Sequence, residues 1–283
     1  MVGDGVTPAA YQQLTAEIKD IVRLEQYLDF LRNRSFRMTL LVKKGTPVHR
    51  SLPGSCVKLF WIASDLQCCR PTPAEPLEFA SPLPAEFKTS RGLALKVASP
   101  ITTAALQLLQ EQFPVAMDFA DLLLQARRRL DIWAQEAGSS QPDEAHIDSE
   151  NILANDLLVL YTKPAAIEFF AAPPPVGKWA SEFPLAASFA RWQAGSTPLL
   201  TNLRHQTIAV SELQRRLLPL LDGQHSLAEL QAALRALVQG LGPIEQFGGQ
   251  ALSAQSSGAE LAQALQQLLD SLAAQSFLCE PAR

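Results

Sequence analysis

The sequence predicts an α+β protein in which a long N-terminal helix and a small antiparallel sheet are followed by two helical units. Three observations lead to this prediction. Apolar residues recur at helical spacing as far as residue 31, short β-type runs separated by prolines fill residues 47–99, and leucine- and alanine-rich helical patterns dominate the remainder. The chain has 283 residues, 47% hydrophobic and 18% charged, which is typical of a globular protein of about two domains.

The first helix is predicted to begin at Thr7-Pro8, because threonine caps a helix well and proline at the first helical position loses no hydrogen bond. Helical spacing of apolar residues then continues to Leu31, which predicts one helix of about seven turns. The helix should stop at residues 33–35 and be followed by a strand over residues 36–42. We expect four side chains to pack this segment against the sheet, namely Tyr27, Phe30, Phe36 and Leu40.

Residues 47–99 are predicted to form the small sheet. Runs such as VKLFWIAS at 57–64 and LALKVAS at 93–99 suit short strands, and prolines separate them. Because proline cannot donate to a strand ladder, a large doubly wound sheet is not expected. We therefore predict a first domain at residues 1–99, made of the long helix and an irregular antiparallel sheet.

Residues 100–172 are predicted to form a first winged-helix-like unit. Three segments of helical spacing, at 103–112, 118–135 and 150–161, precede a strand-like run at 167–170. Three helices followed by a strand resemble the order of elements in a winged helix. The AAPPP segment at 171–175 then reads as a linker, since consecutive prolines hold an extended backbone.

Residues 173–283 are predicted to form a second winged-helix-like domain with a flexible insertion at 239–258, which is rich in Gly, Gln and Ser. A shift of 108 residues aligns the two units without a gap and pairs, for example, Leu109 with Leu217 and Phe169 with Phe277. Two explanations of this match stay open: either the chain is internally duplicated, or Leu/Ala-rich helices match each other by chance.

Several kinds of chemistry have no motif in the sequence. The histidines are scattered, the four cysteines lack CxxC spacing, and a Gly-rich turn between a strand and a helix is missing. The net charge of −4 argues against nucleic acid, and Arg127-Arg128-Arg129 would spread around a helix as a solvated face. His225 is interpreted as part of a turn. No apolar run is long enough for a membrane span, and the N-terminus lacks a secretory signal, so a cytoplasmic location is expected.

Three segments of the sequence, one near its start and two in its C-terminal part, resemble a known family. EQYLDFLRNRSFRMTLL at 25–41 is similar to the closing signature of the predicted regulatory domain that follows the S-adenosylmethionine-binding domain in certain bacterial methyltransferases, including the protein-lysine methyltransferases of rickettsiae. Met38 departs from the glutamine expected there. FPLAASFARWQA at 183–194 and NLRH at 202–205 resemble the C-terminal domain of the same enzymes.

This resemblance implies a regulatory or substrate-recognition portion of an S-adenosylmethionine-dependent methyltransferase, downstream of a catalytic domain that is missing here. The chain alone is then not expected to catalyse or to hold a cofactor. S-adenosylmethionine would belong to the upstream domain. The implied partners are that catalytic domain, in cis or in trans, and a protein substrate.

The candidate domain or substrate contacts fall in the segment 25–41 and in NLRH: Asp29, Arg34, Arg37, Asn202, Arg204 and His205. For the first three, helix capping and pairing at the surface is the alternative. For Arg204 and His205, pairing with a helix C-terminus is the alternative. Two rival functions also stay open, a free-standing winged-helix module that binds DNA or protein, and an enzyme with an unrecognised site.

Overall fold

The structure is a computed structural model that describes residues 6–36, 41–48, 51–69, 85–136, 148–241, 244–245, 251–253 and 255–280. The chain divides into two compact units, Met1–Ser51 and Leu52–Arg283. Mixed helices and small antiparallel sheets make up the fold, in agreement with the predicted class. Among the residues described, no helix combines the length and the apolar character that crossing a membrane requires.

Residues 6–36 of the first unit contain two helices where one long helix was predicted. Helix α1 spans Pro8–Glu17, and Thr7 caps it by accepting a hydrogen bond from the Ala10 amide, as expected. Helix α2 spans Ile21–Leu31. The prediction of one helix is wrong because the Asp20 side chain accepts from the Arg23 amide at 2.8 Å and starts a second helix there.

The apolar residues of the first unit follow the prediction only in part. Val6, Leu24 and Leu28 are buried and form a small core. Tyr27, Phe30 and Phe36, which we expected to pack, are 45%, 82% and 92% exposed and lie outside this core. Residues 36, 41 and 42 are not in a strand, and residues 37–40, with Arg37 and Leu40, lie outside the described part of the chain.

The second unit begins with a lobe, residues 52–170, that we call the first lobe. Its elements in chain order are a 3-10 helix at Gly54–Leu59, β1 (Trp61–Ala63), β2 (Gln67–Cys68), β3 (Ala85–Lys88), β4 (Ala94–Val97), α3 (Pro100–Gln112), β5 (Met117–Asp118), α4 (Phe119–Glu136), α5 (Ser149–Tyr161) and β6 (Glu168–Phe170). Two antiparallel sheets form, with strand orders β5-β1-β6 and β2-β3-β4.

The boundary predicted after residue 99 does not separate two cores. Strand β1 pairs with β5 and β6, which come after that residue. Phe87 and Val97 also share one buried cluster with Leu106 on α3 and Leu157 on α5. The short strands therefore need the later helices to cover them, because a three-residue strand buries too little surface by itself.

The rest of the second unit, residues 176–280, is the second lobe. It contains α6 (Ser188–Gln193), β7 (Leu199–Thr201), β8 (Thr207–Ala209), α7 (Glu212–Leu217), a 3-10 helix at Leu218–Leu220, α8 (Leu227–Leu241), β9 (Ile244–Glu245), β10 (Ala251–Leu252) and α9 (Gly258–Ala274). Its core is a second buried cluster. Strands β9 and β10 pair and Leu252 is buried, so the segment 239–258 is not wholly the flexible insertion that we predicted.

The two lobes share a topology. In the first, β1 lies between β5 and β6; in the second, residues 185–186 lie between Asp222 and Leu278. The shift of 108 residues carries the start of α4 at Phe119 to the start of α8 at Leu227. The same shift carries β1 to residues 169–171 and not to 185–186, so the strand arrangement is similar without following one fixed shift, and duplication stays a prediction.

Candidate functional site

The NLRH segment forms the turn between β7 and β8, and Asn202 holds it in shape. The Asn202 Oδ1 atom accepts hydrogen bonds from the amides of Arg204 at 3.0 Å and Gln206 at 2.9 Å. Its Nδ2 donates to the Gln275 carbonyl oxygen at 2.8 Å, next to the end of α9. Asparagine suits this position because its short side chain can mimic a backbone turn. The turn is thus fixed to the body of the second lobe.

The next residues of the turn divide between the core and the surface. The Leu203 amide donates to the Ser276 carbonyl oxygen at 3.0 Å, and its side chain packs on the second core. His205 has φ 58°, the left-handed region, and is exposed. Arg204 is 9% exposed as a whole residue. The turn therefore presents one buried cation and one exposed imidazole.

The Arg204 side chain bridges the two lobes. Its exposed fraction is 2%, and its Nε donates to Glu168 Oε2 at 3.0 Å. Its Nη2 donates to the same carboxylate oxygen. Gln206 Nε2 donates to the other oxygen of Glu168 at 3.2 Å. Glu168 belongs to β6, so a hairpin of the second lobe is joined to the central sheet of the first.

Two aromatic rings complete this contact. The guanidinium carbon of Arg204 lies 4.8 Å from the ring centroid of Phe113 and 5.5 Å from that of Phe170. A planar cation on aromatic faces gains cation–π stabilisation in addition to packing. Phe170 is on β6 beside Glu168, and Phe113 follows α3. We call these five residues, Arg204, Glu168, Gln206, Phe113 and Phe170, the Arg204 clasp.

One atom of the clasp is poorly satisfied. Arg204 Nη1 is buried and has no hydrogen-bond partner. A buried donor without an acceptor costs about 1–3 kcal/mol. A hydrophobic side chain of similar size could fill the same space without that cost. The arginine is therefore better suited to fixing one arrangement of the two lobes than to adding the greatest stability.

The FPLAASFARWQA segment at 183–194 supports the turn that carries Arg204. Gln193, near the end of α6, accepts from the Thr201 amide at 2.8 Å and donates to its hydroxyl at 3.3 Å. The small residues Ala187, Ala190 and Ala194 are buried and let α6 approach the second core closely. Both C-terminal motifs thus build one structure, a helix and a hairpin that position the arginine.

The other predicted site residues are placed as follows. Asp29 and Arg34 lie in the first unit, where Asp29 Oδ1 is 4.0 Å from Arg34 Nη1 and the Arg34 side chain is half exposed. This geometry is that of a surface pair.

Glu168 was not among the residues predicted from the sequence. A carboxylate within the apolar run IEFF at 167–170 was nevertheless a sign that Glu168 needed a polar or charged partner.

His225 lies in a turn, as predicted. Its Nδ1 is 2.9 Å from Asp222 Oδ1, which also accepts from the Gln224 amide. The hydrogen bond and charge of Asp222 raise the pKa of His225, while the same bond from His225 lowers the pKa of Asp222 to about 2. Ser226 and Glu229 then form reciprocal capping bonds at the start of α8.

The three successive arginines of α4 diverge, as predicted, but Arg127 and Arg129 are partly buried and do not belong to a solvated face. Arg127 Nε donates to Ser149 Oγ at 3.0 Å, Arg129 makes two bonds of 2.8 and 2.7 Å to Glu111, and Arg128 is exposed.

Within the described ranges, His, Cys, Asp and Glu side chains do not gather in a group of three or more that could hold a metal ion. The four cysteines are free thiols of intermediate burial.

Comparison with known proteins finds two family models that match parts of the chain. Residues 182–277 match the family model "PKMT, C-terminal winged helix domain", and residues 1–43 match "Predicted methyltransferase regulatory domain". The chain therefore carries a methyltransferase regulatory segment and a PKMT winged-helix domain, and the resemblance stated from the sequence is confirmed. The Arg204 turn lies inside the winged-helix match.

Similar proteins come from rickettsiae. The structure of PKMT2 from Rickettsia typhi is similar with a TM-score of 0.74 and 19% identity, over 98% of this chain and 54% of that one. The same protein in complex with AdoHcy gives 0.73 and 19%, over 98% and 53%. An uncharacterized protein of Rickettsia prowazekii (strain Madrid E) is 26% identical over 271 residues, 94% of this chain and 45% of that protein. The chain thus spans about half the length of these relatives.

Proposed function

We propose that this chain is the regulatory or substrate-recognition portion of an S-adenosylmethionine-dependent protein methyltransferase and acts with a catalytic domain in cis or in trans. One observation carries the proposal: the regulatory segment and the PKMT winged-helix domain occur on the same chain, at residues 1–43 and 182–277. The structures similar to it include one of PKMT2 with AdoHcy, the product that S-adenosylmethionine leaves after methyl transfer.

In this proposal the Arg204 clasp sets the geometry of recognition. Two lobes with separate cores would move independently if only a linker joined them. The ion pair of the buried Arg204 with the partly exposed Glu168 and the two ring contacts hold the lobes in one arrangement. A protein substrate that touches both lobes is then held at a constant distance from the catalytic domain, and small errors of position reduce transfer rates strongly.

We further propose that the catalytic domain, and not this portion, binds S-adenosylmethionine. A Rossmann-like site uses a glycine-rich turn from a strand into a helix. The strand-to-helix turns β4–α3, β5–α4 and β8–α7 contain no glycine, and α9 opens on a single glycine, Gly258. This composition supports placing the cofactor in the catalytic domain, and no catalytic step is assigned to these turns.

A protein partner is favoured over DNA, because two of the three successive arginines on α4 are already bonded to other side chains. Arg127 and Arg129 already bond to Ser149 and Glu111, and the whole chain carries a net charge of −4. DNA binding depends on basic side chains that are available to neutralise phosphates. A winged helix that uses its surface for a protein contact is consistent with this charge distribution.

The test is a methyl-transfer assay with labelled S-adenosylmethionine, in which this chain is present as part of its methyltransferase or is added to the catalytic domain. We expect transfer to a protein lysine. Arg204→Ala should reduce transfer by at least about tenfold while cofactor affinity is unchanged. The matched control is Arg128→Ala, an exposed arginine, which should leave transfer unaltered.

Two results would contradict the proposal. One is calorimetric binding of S-adenosylmethionine by the isolated chain as tight as that of the complete enzyme. The other is methyl transfer to the same protein at the same rate when the chain is left out. The first result would mean that this chain itself holds the cofactor site. The second would mean that another part of the enzyme recognises the substrate.

A further inference from the structure

Helix α2 has an exposed apolar side next to its buried one. Leu24 and Leu28 point into the core of the first unit, with exposures of 7% and 2%. Tyr27, Phe30 and Leu31 stand at three- and four-residue spacing on the adjoining side and are 45%, 82% and 52% exposed. The helix is thus anchored by its leucines, and the second apolar side is available to another surface.

The apolar character continues beyond the helix. Phe36 and Leu41 are 92% and 87% exposed. Single exposed apolar residues are ordinary on a soluble protein, but several large ones within a short segment are typical of an interaction site. We call the five residues Tyr27, Phe30, Leu31, Phe36 and Leu41 the α2 patch.

We propose that the α2 patch is the docking surface for the S-adenosylmethionine-binding catalytic domain, an inference that rests on the proposed function. All five residues lie inside the segment that matches a methyltransferase regulatory domain. The similar proteins are about twice as long as this chain, so their additional half supplies a partner of suitable size. Aromatic and aliphatic side chains of this kind form the buried centre of stable interfaces.

Charged residues of both signs lie beside the patch. Arg23 is exposed on α2, Arg34 is exposed and lies 4.0 Å from Asp29, and Glu25 is partly exposed on the same helix. The complementary face is therefore mainly apolar. The additional length of the similar proteins is what favours the catalytic domain over a second copy of the chain.

Site-specific photo-crosslinking in the bacterial host tests this inference on the natural protein. Phe30 and Phe36 are replaced, one at a time, by p-benzoylphenylalanine, and crosslinked peptides are identified by mass spectrometry. Val159 is the matched control, because it is 58% exposed on α5 in the second unit. Unchanged melting temperatures would show that the probes at these exposed positions leave the fold intact.

We expect crosslinks from positions 30 and 36 to peptides of the S-adenosylmethionine-binding domain, and none of these from position 159. Crosslinks to residues 52–283 of the same chain, to a second copy, or to no protein at all would overturn the inference. Methyl transfer measured on the same samples separates the two proposals. Transfer without these crosslinks refutes the docking surface alone, whereas the crosslinks without any transfer refute the proposed function.

Discussion

Replacing Arg204 by alanine should destabilise the second unit by about 2–4 kcal/mol. Hydrogen bonds to charged groups contribute about 1.5–3 kcal/mol, and contacts of a desolvated cation with aromatic rings contribute up to about 2 kcal/mol. Two effects make the loss of unfolding free energy smaller than the sum of these contributions. Glu168 is 38% exposed, so water replaces part of the lost pairing, and the unsatisfied Nη1 atom disappears with the side chain.

Urea unfolding followed by circular dichroism measures this change. For a unit of this size the loss corresponds to a melting temperature lower by about 4–16 °C. Arg129→Ala is the control, because Arg129 makes a similar two-bond contact with Glu111 within one lobe, where Glu111 is 55% exposed. An exposed pair of this kind should contribute only about 0–1 kcal/mol.

A double-mutant cycle isolates the pair itself. Arg204→Ala combined with Glu168→Ala should show a coupling energy of about 1–3 kcal/mol, above that of Arg129→Ala with Glu111→Ala. Arg204→Met should be milder than Arg204→Ala, since it keeps much of the packing between the rings and removes the unsatisfied donor. Equal coupling energies in the two cycles would refute the claim that the clasp joins the lobes.

Three other predictions follow from local geometry. Asn202→Ala should lower the free energy of unfolding by about 2–3 kcal/mol in urea titrations, because several backbone groups of the turn lose their partner. The His225 pKa measured by NMR should exceed its usual 6.5 and fall back in Asp222→Asn; stabilisation by the charged imidazole is complete below pH 6.5 and is lost as the pH rises through the raised pKa. Gly177→Ala should cost about 1–3 kcal/mol in thermal unfolding, since the new Cβ would lie 2.5 Å from a backbone carbonyl oxygen, whereas Gly240→Ala, with open space around it, should be neutral or stabilising.

Local patterns predicted the elements whose causes are local. The Thr7 cap, the end of the helical region before Asn33 and the three α-helices described in the first lobe were all visible in the sequence. Capping and periodicity depend on residues within a few positions of each other. The break before α2 was also readable, because Asp20 precedes an apolar helical run, but continuous apolar spacing concealed it.

Long-range contacts were not predictable in the same way. The sequence singled out Arg204 as a contact residue, yet its partner Glu168 lies on another lobe and no pattern links them. Strand β1 pairs with β6, more than a hundred residues later in the chain, so the domain boundary predicted at residue 99 divided a single core. Neither a motif nor a periodicity carries information about such pairings.

The clasp joins elements that hold different places in the two lobes. In each lobe a further segment separates the central strand from a later helix: β2, β3 and β4 precede α3 in the first, and α6 with the β7–β8 hairpin precedes α7 in the second. Arg204 is carried by this segment of the second lobe and reaches β6, a strand of the three-stranded sheet that contains β1 in the first. The shift of 108 residues aligns Arg204 with Lys96 and Glu168 with Ser276, so an alignment of the two lobes does not predict the pair that joins them.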